Sequence, residues 1–405
     1  MAAAWIACPW ALQAQDTPAS AAPGTLRQAF DAAWARQPEA LALQARRDAV
    51  RARQAAARAW TPEPAALELS GTSDRLNRNR GARELELAAA VPVWLPGERR
   101  GSAALADAEQ AALESQLAAA QLRVAATVRD AWWQWQRAGI ELDRAQDQLE
   151  TLRRIATDVA RRTAAGELAR ADQHQADGAV AAAESGLARA EAALAVARQH
   201  LRALAGRAPA PGDAAAEERP SAAAATGTEA HAALQALEDQ AAVAERSAAL
   251  AATQSRANPE LVVSTTRDRG AFGEAAQQSV TLGLRIPFGG GPRHEARRAQ
   301  AQAEAAELQA RLALERERLG AEREAARLGV EAAQAQLAAA ERRATLARES
   351  RGFFEKSFRL GQTDLPTRLR IDAEAAEAER QAALGRIELA AAISAWRQTL
   401  GLLPQ

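Results

Sequence analysis

Residues 84–98 read ELELAAAVPVWLPGE, and residues 279–293 read SVTLGLRIPFGGGPR. In the first, Leu85, Leu87, Ala89, Val91 and Val93 recur at every second position; in the second, Val280, Leu282, Leu284 and Ile286 do the same. A period of two predicts strands with one apolar and one polar face, the polar face holding Glu84 and Glu86 or Thr281, Gly283 and Arg285. Each strand stops at Val91-Pro92 or Ile286-Pro287, because proline has no amide for the ladder. The chain then passes Pro96-Gly97, or Gly289-Gly290-Gly291-Pro292, and starts a helix. Pro92 and Pro287 are thus the expected strand-to-helix junctions.

The likeness extends outward at one spacing. Pro64 and Pro259, Pro92 and Pro287, Gly166 and Gly361, and Gly206 and Gly401 are each 195 positions apart. About 140 residues therefore repeat without net insertion or deletion. In each copy a helical stretch (about 25–59, then about 228–255) meets a proline break at Pro62 and Pro64 or at Asn258-Pro259. A first strand follows, marked by Leu67 and Leu69 or by Leu261, Val263 and Thr265, with a polar tip over 73–81 or 267–273. After the second strand, helix is expected from Glu98 to about Arg162 and from about Arg293 to Phe358, each a rod of roughly 100 Å at 1.5 Å per residue. Leu142, Ala145, Leu149, Leu152, Ala156 and Val159 step by three and four along the first rod, as in a coiled-coil seam. Gly166 and Gly361 mark turns, after which a helix of about 35 residues returns to Gly206 or Gly401. The domain plan is a signal-like or flexible segment 1–24, a first repeat 25–206, a linker 207–227 rich in Pro, Ala and Gly, and a second repeat 228–405.

Composition narrows the function. Alanine supplies 114 of the 405 residues, a helix-forming bias. Lys+Arg and Asp+Glu are both 51, so no basic field marks a nucleic-acid partner. The lone Cys8 cannot close an intrachain disulfide, and His174, His200, His231 and His294 lie apart without zinc-ligand spacing. With no nucleophile and base, glycine-rich phosphate loop or metal cluster, neither catalysis nor a cofactor is expected. No apolar run reaches transmembrane-helix length, a test that a barrel would evade. Residues 1–15 resemble a secretory segment without the usual positive start, and Trp5-Ile6-Ala7-Cys8 is a poor lipidation motif. Trp132, Trp133 and Trp135, and Phe353, Phe354 and Phe358, read as packing residues. Arg75, Arg78 and Arg80 read as a solvated tip, with lipopolysaccharide contact as the alternative.

Four strands of membrane-spanning length cannot close a barrel, since single-chain barrels start at about eight. Left open they expose unpaired edges, so several chains must share one barrel with the polar strand faces lining its lumen.

In these features the sequence resembles the TolC family of outer-membrane efflux channels from about Thr25 to Gly401. The residues carrying the likeness are Gln37-Pro38-Glu39, Asn258-Pro259-Glu260-Leu261, the two junctions with Gly289-Gly290-Gly291, the tip glycines and Leu400-Gly401. The resemblance implies a mainly α fold with a small β part: a duplicated strand pair and long coiled helical hairpin, assembling as a trimeric, twelve-stranded outer-membrane β-barrel continuous with a periplasmic α-barrel. It implies a homotrimer in outer-membrane lipid, working with a periplasmic adaptor (membrane fusion protein) and an inner-membrane efflux transporter of the resistance-nodulation-division type, and binding no nucleic acid. The glycine-rich second junction is similar to members serving heavy-metal cation efflux. In the family an aspartate six residues past the tip glycine helps close the periplasmic aperture, which makes Asp172 a gate candidate. The second repeat departs from the pattern, with Thr367 at the matching position, Asp364 and Asp372 nearby, and Thr363 where some members carry a gate arginine. Asp364 is the second gate candidate; for Asp172 the alternative is a charge that favours a helix N-terminus. Gly166 and Gly361 match the positions at which adaptors dock. Two other readings stay open: a periplasmic adaptor, which would carry one hairpin between β-rich domains, and a soluble coiled-coil scaffold, which leaves the duplicated strands unexplained.

Overall fold

The computed structural model describes residues 24–77, 79–207, 218–219, 231–288 and 291–405. The signal-like segment with Cys8, most of the linker, Arg78, Gly289 and Gly290 lie outside the described residues.

In chain order the elements are α1 (Leu26–Trp34), α2 (Pro38–Leu41), α3 (Leu43–Ala57), β1 (Ala66–Ser73), β2 (Arg83–Pro92), α4 (Glu98–Ala164) and α5 (Arg170–Ala205). The second repeat follows as α6 (Ala232–Thr253), β3 (Glu260–Arg269), β4 (Gln277–Arg285), α7 (Gly291–Arg359) and α8 (Leu365–Thr399). Two details depart from the sequence reading. The first lead-in helix breaks at Pro38, which caps off a new short helix instead of continuing α1. The second strand tip is shorter than 267–273, because Arg267 and Asp268 keep partners on both sides, in β2 and β4.

The four strands form one antiparallel sheet in the order β1-β2-β3-β4, so the strand pairs of both repeats share a sheet. Its register aligns the predicted apolar positions into rows. Leu67, Ala89, Val263 and Leu282 pair across all four strands, Leu69, Leu87, Thr265 and Val280 form the next row, and Val91, Leu261 and Leu284 a third. This face is open: Leu67 is 74% and Leu282 72% exposed. The opposite face carries Glu68, Glu84, Glu86 and Asp268. A sheet with its apolar face outward and two open edges, β1 and β4, is stable only where something apolar covers that face and another strand meets each edge.

The helical hairpins α4/α5 and α7/α8 are rods of about 100 Å in their longer arms. Their core lies midway. Leu26, Phe30 and Ala33 of α1 pack on Val128, Trp132 and Trp133 of α4, with Leu201 of α5 and Ile387 of α8. Trp132 and Trp135 meet edge to face at 5.1 Å, so the tryptophan cluster is core packing. Farther out the seam narrows to alanine, Ala344 against Ala378 and Ala382, side chains small enough for close helix approach.

Where the linker touches this core, Glu218 is fully buried between Arg129 of α4 and Arg397 of α8. It pairs with Arg129 at 2.7 Å and Arg397 at 3.3 Å, and accepts the Ser394 hydroxyl. The residue joining the two repeats thus pins one helix of each to the other.

Candidate functional site

Two places recur in both repeats: the junction between sheet and rods, and the hairpin tips. At the first junction Pro92 closes β2 opposite Glu260, and Gly97 turns the chain into α4 with φ of 84°, a conformation that favours glycine. The next residue, Glu98, is 2% exposed. Its carboxylate accepts from the Leu95 amide at 3.0 Å, from Asn258 Nδ2 at 2.6 Å and from Gln254 Nε2 at 2.8 Å. Asn258 also donates to the Val93 carbonyl, and the Val93 amide to the Pro259 carbonyl. The Asn258-Pro259 pair, a break in the sequence reading, is the knot that ties the second repeat's first strand to the first repeat's junction. Pro287 ends the second strand pair in a half-buried position, and the exposed Arg293 stands where the first repeat has Glu98.

The tips repeat one backbone solution. At the first, the Glu167 amide donates to the Arg162 carbonyl and the Gly166 amide to that of Thr163; at the second, Gln362 donates to Ser357 and Gly361 to Phe358. This is the paired-bond helix stop that calls for a left-handed residue, and the glycines supply it with φ of 79° and 72°. A Cβ built on either glycine meets nothing within 4 Å, so both turns face open space.

Both gate candidates are engaged with their own helices. Asp172, third residue of α5, accepts from the Ala169 amide at 3.1 Å. Asp364 is the N-cap of α8 and accepts from the Thr367 amide at 3.1 Å; Thr367 holds its carboxyl below the ordinary aspartate range. The two repeats thus satisfy the same helix start in mirrored ways, the acid inside the first turn in one and before it in the other.

What joins the two tips is Phe358, 1% exposed. Arg162 of α4 lies 5.0 Å from its ring centroid and Arg368 of α8 4.8 Å, and the ring sits among Ile155, Val159, Ala176 and Leu365. One arginine comes from each hairpin, so a single ring couples them. Phe353, also read as packing, is instead 68% exposed. Beside this cluster Asp372 and Arg368 approach to 3.5 Å without hydrogen-bonding geometry, and burial pushes the Asp372 carboxyl up. Sequence reading missed Glu98, Glu218 and the pairing role of Phe358, since each gains its partners from distant parts of the chain.

Among the described residues no helix is long and apolar enough to cross a membrane. The chain has the fold of outer-membrane channels. VceC from Vibrio cholerae matches with a TM-score of 0.73 and 19% identity, over 93% of this chain and 96% of that one. CusC matches at 0.78 and 15%, over 93% and 92%. The open state of MtrE from Neisseria gonorrhoeae matches at 0.74 and 16%, over 94% and 89%. No curated protein sequence matches significantly. The outer membrane efflux protein family model matches residues 29–207, which span the first repeat. That family is one of outer-membrane efflux channels, and the solved structures matched are outer-membrane channels too.

Proposed function

We propose that three copies of the chain join their sheets edge to edge into a twelve-stranded barrel, continued by a ring of six hairpins, to form the exit duct of a tripartite efflux pump. The observation that carries this is the sheet: an exposed apolar face, an acidic opposite face and two open edges in one chain. A second support is the exposed apolar run of Leu346 and Phe353 on α7 and Leu360 just past its end, spaced by seven as a helix seam needs when its partner belongs to a neighbouring copy. A periplasmic adaptor docks at the Gly166 and Gly361 turns and delivers the cargo of an inner-membrane transporter. Asp172 and Asp364 line the periplasmic aperture, each with a second carboxylate oxygen beyond the one used for its helix.

Cations are the favoured cargo. Glu68, Glu84, Glu86 and Asp268 share the sheet face that turns inward, where a fifth acid, Glu260, is paired with Arg285, so beyond those pairs three copies place twelve acids around one lumen. The test is the native mass of the protein extracted in detergent from outer membranes, followed by its reversal potential in a salt gradient across a planar bilayer. A trimer conducting cations over anions supports the reading. A soluble monomer or dimer would leave the coiled-coil scaffold in its place.

A further inference from the structure

At the end of the sheet away from the rods, the apolar face turns basic. Arg83 of β2 and Arg269 of β3 are direct cross-strand partners, and Arg267 lies two residues farther along β3, opposite Leu85. All three share a face with Leu67, Leu87 and Val263, and none of the four strands places an acid on that face. Direct cross-strand partners sit about 5 Å apart at Cβ, where like charges repel. β2 and β3 are the central strands, so the next residues outward are Ser73 of β1 and Gln278 of β4, and a second copy pairing at either edge brings no acid alongside. Arg83 and Arg267 are exposed, and among the described residues neither side chain makes a hydrogen bond or ion pair. Arg269 is aimed by a hydrogen bond to the Gly81 carbonyl at 3.3 Å and by the Phe272 ring, 5.8 Å from its guanidinium.

The geometry points to a binding site for the phosphate of an acylated, phosphorylated glycolipid in the outer leaflet. The guanidinium forks of Arg83, Arg267 and Arg269 take the phosphate oxygens in paired hydrogen bonds. The acyl chains lie along the rows of Leu85, Leu87, Val263 and Leu282 that start directly below. A free phosphate would satisfy the charges and leave those rows uncovered, so the anion is one carried by a lipid. The proposal rests on the barrel reading, which turns this face to the membrane.

The test uses the full chain in detergent micelles, with binding of diphosphoryl lipid A measured by native mass spectrometry against dephosphorylated lipid A and inorganic phosphate. R83Q/R267Q/R269Q is compared with wild type, and E84Q on the opposite face serves as control. Wild type and E84Q bind diphosphoryl lipid A alike, and the triple variant binds about tenfold more weakly or worse, the factor equivalent to about 1.4 kcal/mol. Equal binding by the triple variant, equal binding of the dephosphorylated lipid, or displacement by millimolar inorganic phosphate overturns the proposal. If the triple variant does not assemble, R83Q and R267Q are measured singly, and unchanged affinity in both overturns it as well. Failure of the wild-type chain to form a trimer before any lipid is added overturns the barrel reading and this site with it, an outcome distinct from a trimer indifferent to phosphate.

Discussion

At the first junction Glu98 is buried and takes three hydrogen bonds, while 195 residues later the matching Arg293 lies exposed at the start of α7. At the hairpin tips the asymmetry reverses: Phe358 is sandwiched between two arginines, and the matching residue of the first repeat is Thr163, whose hydroxyl is buried without a partner. The two repeats keep the same backbone plan and divide the fastening groups between them. One copy of each fastening suffices because the repeats share a sheet at one end and a small core at the other, so a group on either repeat holds both.

This division can be broken at its strongest point by Glu218→Ala, which leaves Arg129 and Arg397 buried without their acid. The expected loss is about 3–5 kcal/mol, read as a lower midpoint of heat unfolding in detergent. Phe358→Ala follows at about 3–5 kcal/mol, the range for a buried aromatic, with α4 and α7 near the tips becoming open to protease. Thr163→Val at the matching position is expected to change stability by less than about 0.5 kcal/mol; an equal loss at both would mean that the tips are fastened symmetrically. Glu98→Gln weakens the acceptor of three buried hydrogen bonds and costs about 1–3 kcal/mol, against about 0.5 kcal/mol or less for Arg293→Gln, measured by chemical denaturation.

The smallest effect separates the lead-in helices by pH. His231 caps α6 through Nδ1, and burial lowers its pKa from 6.5; the cap of α1 is Thr25, which does not titrate there. The unfolded chain then takes up the His231 proton more readily than the folded one. Stability is fully present above about pH 6.5 and falls as pH drops below it. Faster amide exchange in α6 than in α1 on going from pH 7.5 to 5.5 is expected, and His231→Asn, which keeps a capping acceptor, should abolish the difference.

The backbone was legible in the sequence wherever its cause is local. Period-two rows mark the strands, prolines stop them, tip glycines supply left-handed turns, and proline-free alanine-rich stretches run as rods. The fastenings were not legible because their partners are far along the chain: Glu98 reaches Gln254 across 156 positions, Arg162 reaches the Phe358 carbonyl across 196, and Arg129 reaches Ser394 across 265. The family resemblance singled out Asp172 and Asp364 beside the tips, and it gave no sign that each carboxylate also serves the first turn of its own helix. Glu218, in a stretch of low complexity, carried no local signal at all.

The rods also work as a matched pair of rulers. α4 ends at Ala164 and α7 at Arg359, and α5 begins at Arg170 and α8 at Leu365, both pairs again 195 apart. Deleting one residue from a single rod would shorten it by about 1.5 Å and swing everything beyond the cut by about 100° around its axis. Phe358 would then point away from Arg162, and the six turns of the proposed trimer would no longer end on one level plane. Length in this molecule is therefore a phase-locked quantity, free to drift only in both rods together or by whole heptads.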